Sequence, residues 1–465
     1  MYNAGMKLKR ITALCAALTT AAATTAPVAA ADSSPLAERL REAVVAQNFK
    51  DVIDLTPPEP GARAAGRQEK YDSTPAELRT RARALSTGKP LHQTPNLDVA
   101  VIGLDPAGRP TTVANVLLSP RHPNGVVVPV QPQALSTDQV RYRWWDDAEW
   151  DLTGVGTQDV LPGRENAPID FASPYPASVL KLMVGFGVLR LADQGRIDLD
   201  ADYAYDPNPV REACGGPSVK RVRQHFDEMI TKSQNESTCA LVKLIHDLGA
   251  WDEVNRTFAD LGMPTLMVTG TNPGNGSSWG GSNMSGLDTA KLLLLVNGGP
   301  NVLWTTGQGR QVTADELSPS SRQFFQQTLA NQGHNEMLST PNWCGRDYPV
   351  QGIPQQVAAR WIQPDGTLRV GDAVYDRDVR PCNEAAEVTF AHKTGWVNTA
   401  GTDAGIVKSL PGKQKRDYIV VVFGNLGMDY VDAGRPADPP GVFPVLYTQK
   451  YAQLGKAIDA IMKTG

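Results

Sequence analysis

One apolar stretch near the middle of the chain constrains the fold more than any other segment. Residues 171–194 read FASPYPASVLKLMVGFGVLRLADQ, a run that predicts a largely buried helix. At its head lies the tetrad Ser178-Val179-Leu180-Lys181, an S-x-x-K pattern. Residues three apart lie on one face of a helix, one turn from each other, so we expect the Ser178 hydroxyl and the Lys181 amine to meet.

This pairing indicates nucleophilic catalysis. A serine hydroxyl is a poor nucleophile until an adjacent base takes its proton. Lysine serves as that base only where burial or a neighbouring cation keeps it neutral. The helix would surround Lys181 with apolar side chains, namely those of Leu180, Leu182, Met183, Val184 and Phe186. Taken alone, the tetrad also fits a helix-start serine followed by a solvated lysine.

Two further motifs follow in a fixed order. Ser233-Gln234-Asn235 lies between two predicted helices, and Lys393-Thr394-Gly395 lies at the end of a predicted strand. The order S-x-x-K, S-x-N, K-T-G is the signature set of penicillin-recognising serine enzymes. From about residue 170 to the C-terminus, the chain therefore resembles the class A β-lactamase and D,D-peptidase superfamily. This resemblance implies an α+β fold, in which an all-helical lobe docks on a mainly antiparallel sheet flanked by terminal helices. The active site would lie between the lobe and the sheet.

The resemblance assigns a role to each catalytic candidate. Ser178 would attack a carbonyl carbon and become acylated, and Lys181 would accept its proton. Ser233 and Lys393 would form a hydroxyl–ammonium relay that returns a proton to the leaving nitrogen. Lys393 would also help to keep Lys181 neutral, because two like charges disfavour each other.

The resemblance also assigns the substrate contacts. Asn235 would orient the substrate amide, and the Thr394 hydroxyl would contact the substrate carboxylate together with Lys393. Gly395 would leave room for the acyl group. The oxyanion hole would be formed by the backbone N–H groups of Ser178 and Trp396, because it needs fixed donors. The Trp396 side chain would narrow the mouth of the cleft.

One departure from the family pattern concerns deacylation. Class A enzymes carry a glutamate on a loop after the second motif, where it activates the hydrolytic water. The corresponding segment here, residues 263–285, contains neither Asp nor Glu. Deacylation would then depend on Lys181 or on a neutral group such as Asn272. Glu236 reads as an acid in the first turn of a helix, which the helix dipole favours. We therefore expect acylation by β-lactams with slow turnover.

Length and charge set the organisation of the chain. The 465 residues allow one large or two medium domains. We divide the chain into a secretory signal peptide (1–31), an N-terminal accessory region (32–165) and a hydrolase domain (166–465). The formal net charge is −4, and −7 after removal of the leader, so there is no basic excess for nucleic acid.

The N-terminus predicts export. Basic Lys7, Lys9 and Arg10 precede an apolar segment, and small residues at 29–31 offer a cleavage site. No later apolar run is long enough to span a bilayer. We expect a secreted, soluble monomer that acts on a small molecule or a peptidoglycan peptide.

The cysteine count agrees with export, because disulfides persist in oxidising compartments. Four cysteines follow the leader, and pairing between sequence neighbours would join Cys214 to Cys239 and Cys344 to Cys382. Cys239 also fits a small buried thiol in a helix. A bridge between Cys344 and Cys382 would close the loop-rich stretch 340–384, which we expect to border the cleft and to influence substrate specificity.

Hydrophobic periodicity locates the remaining elements. Helices are predicted at 36–46, 74–85, 177–194, 219–231, 236–248, 252–261, 286–297, 314–331 and 446–463, and strands at 97–105, 111–119, 126–131, 387–393, 404–410 and 417–425. An aromatic patch (Tyr142, Trp144, Trp145 and Trp150) is interpreted as packing against the catalytic domain, with glycan binding as the alternative.

Other chemistries find little support in the sequence. The histidines show no metal-ligand spacing, and His334-Asn335-Glu336 is not an H-E-x-x-H motif. We expect no cofactor. Residues 276–280 form a literal G-x-S-x-G, but turn-like residues lie on both sides, where a nucleophile elbow requires a strand and a helix. His392 is predicted to be structural. The functional alternatives are a D,D-carboxypeptidase or esterase, a penicillin-binding sensor without useful turnover, and a cell-wall attachment module.

Overall fold

A computed structural model describes residues 34–54, 89–91, 93–146, 156–345, 351–432 and 445–464. The predicted leader, the predicted helix at 74–85 and Trp150 lie outside these residues. Across the described residues, no helix has both the length and the apolar character needed to span a membrane.

A six-stranded antiparallel sheet forms the centre of the structure. Its strands are β1 (Leu97–Leu104), β2 (Pro110–Ser119), β3 (His122–Val127), β4 (Val388–Val397), β5 (Ala400–Ser409) and β6 (Asp417–Gly424). Their order across the sheet is β4-β5-β6-β1-β2-β3. Strands from before residue 165 and after residue 385 therefore share one sheet, and β4, which carries the third motif, lies at its edge.

Helices cover both faces of this sheet. The helices in the described part of the chain are α1 (Pro35–Ala46), α2 (Lys181–Asp193), α3 (Val222–Thr231), α4 (Asn235–Asp247), α5 (Trp251–Asp260), α6 (Gly286–Asn297), α7 (Pro319–Ala330), α8 (Arg380–Ala385) and α9 (Thr448–Lys463). The terminal helices α1 and α9 pack on one face, and helices α2 to α7 form a lobe on the other. The predicted α+β architecture is confirmed.

The central strands β1 and β6 are mainly apolar because both of their faces are buried. In β1 the side chains alternate between two cores. Val99 and Val101 pack with the terminal helices, whereas Ala100 and Ile102 pack with the helical lobe.

Several predicted boundaries were wrong, and three of them have a clear local reason. Residues 218–221 form a strand rather than the first turn of α3, because they pair with residues 202–205. The predicted helix at 314–331 is interrupted: Ser318 caps α7 through a bond from the Ser321 N–H, and Pro319 occupies the first turn. Strand β3 ends at Val127, ahead of Pro129, and not at residue 131.

Smaller elements surround the sheet and the lobe. Residues Val140–Trp144 pair in parallel with Ile169–Ser173, and Tyr142 packs edge-on against Phe171. Tyr142 is buried, as the packing interpretation of the aromatic patch requires. A small four-stranded sheet contains Val52–Asp54, Lys89–Pro90, Tyr430–Asp432 and Val445–Leu446. Four two-stranded antiparallel pairs complete the strands of the described residues: Asp202–Tyr205 with Ser218–Arg221, Met267–Thr269 with Gly281–Asn283, Val302–Thr305 with Gln311–Thr313, and Leu368–Val370 with Ala373–Tyr375.

Both predicted disulfides, Cys214–Cys239 and Cys344–Cys382, are formed. The second closes residues 344–382, which have a small apolar core of their own that includes Val357, Leu368 and Val379. We call residues 340–384 the insert. It docks on the helical lobe through a bidentate ion pair between Arg360 and Asp227.

Candidate active site

The first motif lies where a 3₁₀ turn, Ala177–Leu180, runs into α2. In a 3₁₀ turn, residues three apart lie directly above one another, which puts Ser178 and Lys181 on the same side. Ala177 has a φ of 45°, in the left-handed region that a non-glycine residue rarely adopts. Backbone strain of this kind concentrates at functional sites, where the surrounding structure maintains it.

Lys181 is fully enclosed, with 1% of its surface exposed. Its Nζ atom lies 2.6 Å from the Ser233 carbonyl oxygen, 3.1 Å from Ser233 Oγ and 2.9 Å from Asn235 Oδ1. Ser233 has a φ of 56°, which turns its carbonyl toward the amine. In the described part of the chain, Ser178 Oγ makes no hydrogen bond, so the expected direct contact with Lys181 is not formed here. Catalytic hydrogen bonds are often long before substrate binds and tighten in the complex.

Lys393 reaches the same hydroxyl from the edge strand β4. Its Nζ atom lies 3.0 Å from Ser233 Oγ and 2.7 Å from the Thr394 carbonyl oxygen. Ser233 Oγ therefore lies between the two amines, so the three motifs meet at one point.

Burial sets the protonation of both lysines. Desolvation, reinforced by the neighbouring Lys393, holds the pKa of Lys181 well below its ordinary value. Desolvation also lowers the pKa of Lys393 to about 7, against a smaller opposing effect of the carboxylates of Asp403 and Glu336. Lys181 is the more easily deprotonated of the two, because no carboxylate opposes the effect of burial on its pKa.

Gly395 brings the third motif against the first. A Cβ atom at this position would lie 2.6 Å from the Ser178 backbone nitrogen and 3.0 Å from that of Val179. The Thr402 hydroxyl lies 3.0 Å from both the Pro176 and the Gly395 carbonyl oxygens, and the two acceptors share its one proton, which holds the two segments together. A side chain at position 395 would push the strand away from the nucleophile turn.

The remaining predicted residues line the same region. Asn235 begins α4 and accepts from Lys181, and the Thr394 hydroxyl lies 3.5 Å from the His334 carbonyl oxygen. The Trp396 ring packs edge-on against the His334 ring, with centroids 5.4 Å apart. Among the eight predicted site residues, Lys181, Asn235 and Lys393 thus bond directly to Ser233 or to one another, whereas Ser178 approaches this cluster through the turn that it shares with Lys181.

Sequence reasoning missed His334 and Glu336. His334 Nδ1 lies 4.0 Å from Glu336 Oε1, and that carboxylate accepts a hydrogen bond from Tyr375 of the insert. Burial raises the pKa of Glu336 to about 8. No spacing rule relates these residues to the motifs, because they lie about 60 residues before Lys393 and meet it only through the tertiary fold.

Several other candidates occupy structural positions. Glu236 is exposed in the first turn of α4, and Asn272 Oδ1 accepts from the Gly274 N–H in a local turn. His392 is buried between Asp403 and Asn335, at 2.8 Å from each. Ser278 of the literal G-x-S-x-G lies between short strands, and its hydroxyl contacts Ser277.

Comparisons with known proteins identify the family of this chain. No curated protein matches the chain. Similar solved structures include an acyl-enzyme complex of PBP-A with penicillin G (16% identity, 85% of this chain and 99% of that chain covered, TM-score 0.43). A second is the TLA-1 extended-spectrum β-lactamase (13% identity, 84% of this chain and 99% of that chain covered, TM-score 0.40). A third is a β-lactamase from Chitinophaga pinensis (18% identity, 62% of this chain and 84% of that chain covered, TM-score 0.38). A family model described as the beta-lactamase enzyme family matches residues 164–428, more than half of the chain, and the protein belongs to that family.

Proposed function

We propose that this protein is an exported serine hydrolase that β-lactams, or related amides and esters, acylate at Ser178, and that releases the acyl group slowly. The observation that carries the proposal is the buried Lys181 amine. It lies one turn from Ser178 and within 3.1 Å of Ser233 Oγ, beside a second buried lysine. A lysine kept neutral in this way can accept a proton at neutral pH.

Acylation then follows from the positions of four groups. Ser178 Oγ attacks the carbonyl carbon, and its proton passes to Lys181. The carbon–nitrogen bond of the substrate breaks, and the leaving nitrogen takes a proton from Ser233 Oγ. That hydroxyl is replenished by one of the two amines beside it, since both lie within 3.1 Å.

Substrate orientation follows from the two walls of the cleft. Lys393 and the Thr394 hydroxyl hold the substrate carboxylate, and Asn235 orients the side-chain amide. The Ser178 N–H begins a 3₁₀ turn and lacks an intrahelical acceptor. It and the Trp396 N–H on edge strand β4 are the proposed oxyanion donors, since fixed backbone donors stabilise charge that develops in the transition state.

Slow release follows from the missing carboxylate. Residues 263–285 carry no acid, and Glu236 is exposed. Activation of the hydrolytic water is therefore left to Lys181. This favours a second candidate on the same scaffold: a D,D-carboxypeptidase or esterase, for which β-lactams act as slowly released inhibitors. A sensor that acylates without turnover shares the first half of this chemistry.

Stopped-flow kinetics with a reporter cephalosporin, together with intact-protein mass spectrometry, test the proposal. We expect a stoichiometric acyl adduct that decays slowly. Turnover as fast as that of an efficient β-lactamase would show that another group supplies the deacylating base. Release of D-alanine from a peptide ending in D-Ala-D-Ala would assign the peptidase function, whereas its absence with a persistent adduct would favour the sensor.

Export is the second part of the proposal. It is supported by the predicted leader and by the two disulfides, which persist in oxidising compartments. Recovery of a mature protein that begins near residue 32 outside the cytoplasm would support it. Retention of the intact leader on cytoplasmic protein would contradict it.

A further inference from the structure

An imidazole lies between the second and the third motif. His334 Nε2 lies 3.3 Å from the Lys232 carbonyl oxygen, and its ring packs edge-on against Trp396. Lys232 directly precedes the second motif, and Trp396 directly follows the third. The His334 ring therefore lies between the segments that carry these two motifs.

The chemical state of this imidazole defines what it can contribute. Because Nε2 faces a carbonyl oxygen, it carries the ring proton, and Nδ1 faces the Glu336 carboxyl group. Burial, reinforced by the nearby Lys393 amine, lowers the pKa of His334 to about 4 against the smaller opposing effect of the hydrogen bond to the Lys232 carbonyl oxygen. At neutral pH the ring is uncharged, so it contributes volume rather than another positive charge for an anionic substrate.

The ring is held from several sides. The His334 N–H donates to Gln332 Oε1 at 3.1 Å, and its carbonyl oxygen lies 3.5 Å from the Thr394 hydroxyl. Behind the ring, Glu336 accepts hydrogen bonds from Tyr375 and Asn342, which both belong to the insert. The insert thus supports the side chain that closes the cleft and does not need to contact the substrate itself.

We infer that His334 is a specificity-determining residue that closes the cleft beyond Lys393 and Thr394 and admits only acyl donors whose carboxylate is terminal. This inference rests on the proposed acylation of Ser178. The accepted class comprises β-lactams with a free carboxylate and peptides with a free C-terminus. The rejected class comprises their bulky esters and amides and internal peptide bonds, because these would continue into the space that the ring fills.

The test compares acylation by penicillin G with acylation by its benzyl ester, measured as second-order rate constants by intact-protein mass spectrometry. His334→Ala should raise the ester-to-acid ratio about tenfold, the scale on which a pocket of altered size discriminates substrates. Trp396→Ala removes the other half of the contact and should raise the ratio in the same direction. His334→Phe keeps a ring in place and should leave the ratio low. His246→Ala, which removes a ring that packs on Trp251, is the control.

The outcomes separate the two claims. If penicillin G does not acylate the wild-type protein, the proposed function fails. If it does, and neither His334→Ala nor Trp396→Ala raises the ratio, the inference about His334 is overturned and the proposed function stands. An equal rise in His334→Phe would also overturn it, because the ratio would then depend on the bond to Lys232 and not on ring volume.

Discussion

The candidate active site and the helical lobe both bury lysine side chains, but in different surroundings. In the cleft, Lys181 and Lys393 are 1% and 0% exposed and share the hydroxyl of Ser233. In the helical lobe, Lys291 of α6 is 0% exposed, donates to the Gly262 carbonyl oxygen and lies 5.0 Å from the centroid of the Trp304 ring. Burial lowers the pKa of all three.

The difference lies in the neighbouring charge and in the acceptors. The neighbouring Lys393 lowers the pKa of Lys181 further. The neighbouring Asp288 instead raises the pKa of Lys291, against the effect of burial. Only the cleft places a hydroxyl between two amines and a serine one turn away. Burial alone thus makes a lysine easier to deprotonate, whereas catalysis requires a nucleophile within reach.

The largest effect should come from removing the nucleophile. We expect Ser178→Ala to abolish labelling by fluorescent penicillin, a loss of about 10⁴-fold or more in acylation rate. Ser278→Ala is the matched control, because Ser278 lies in the literal G-x-S-x-G but contacts only a neighbouring serine hydroxyl. Persistent labelling of the Ser178 variant, located by peptide mapping at another serine, would assign the nucleophile elsewhere.

Removing the proposed base should have the next largest effect. Lys181→Met keeps the volume and loses the amine, so we expect acylation to fall about 10³-fold, within the usual range for general-base catalysis. Thermal melting should show that the variant is folded. If the variant acylates at the wild-type rate, Lys181 is not the base, and its burial would be structural like that of Lys291.

The close approach of β4 to the nucleophile turn should have a smaller effect. In Gly395→Ala the new methyl group would lie 2.6 Å from the Ser178 backbone nitrogen. Displacing packed groups costs about 1–3 kcal/mol, so we expect acylation to fall about 10- to 100-fold. Gly280→Ala is the control, because a methyl group there would point into open space. Equal rates for the two variants would show that the strand and the turn need not touch.

The smallest effect on activity should come from Lys291. Its folded-state pKa is lower than the ordinary 10.5, so the unfolded state binds more protons and stability rises with pH from the folded value up to about 10.5. Lys291→Met removes this contribution, which is at most about 1.4 kcal/mol per pH unit. Urea denaturation across the alkaline range should show a smaller rise in unfolding free energy, while acylation is retained. A loss of acylation would mean that Lys291 also contributes to the reaction at Ser178.

The sequence predicted local chemistry better than tertiary contacts. The spacing of Ser178 and Lys181 placed them on one side of a turn, and apolar flanks predicted the burial of Lys181. Convergence of the three motifs came from the resemblance to a family rather than from periodicity. His334 could not be found in this way, because its contacts with Lys232 and Trp396 depend on how the chain folds.

Element boundaries failed where tertiary pairing or capping decided them. Residues 218–221 have helical periodicity, but pairing with residues 202–205 makes them a strand. Ser318 and Pro319 restart a helix that apolar spacing alone continues from residue 314. The role of the insert was suggested by its length and cysteines. Its connection to the cleft, through Tyr375 and Glu336, required the structure.

The central claim is that Lys181 is neutral near physiological pH and accepts the proton of Ser178. The pH dependence of the second-order rate constant for acylation by penicillin G tests it most directly. We predict a bell-shaped profile: a rising limb at a pH far below 10.5, from the depressed pKa of Lys181, and a falling limb near 7, from Lys393. A rate that continues to rise up to about pH 10, as an ordinary lysine base would give, would contradict the account.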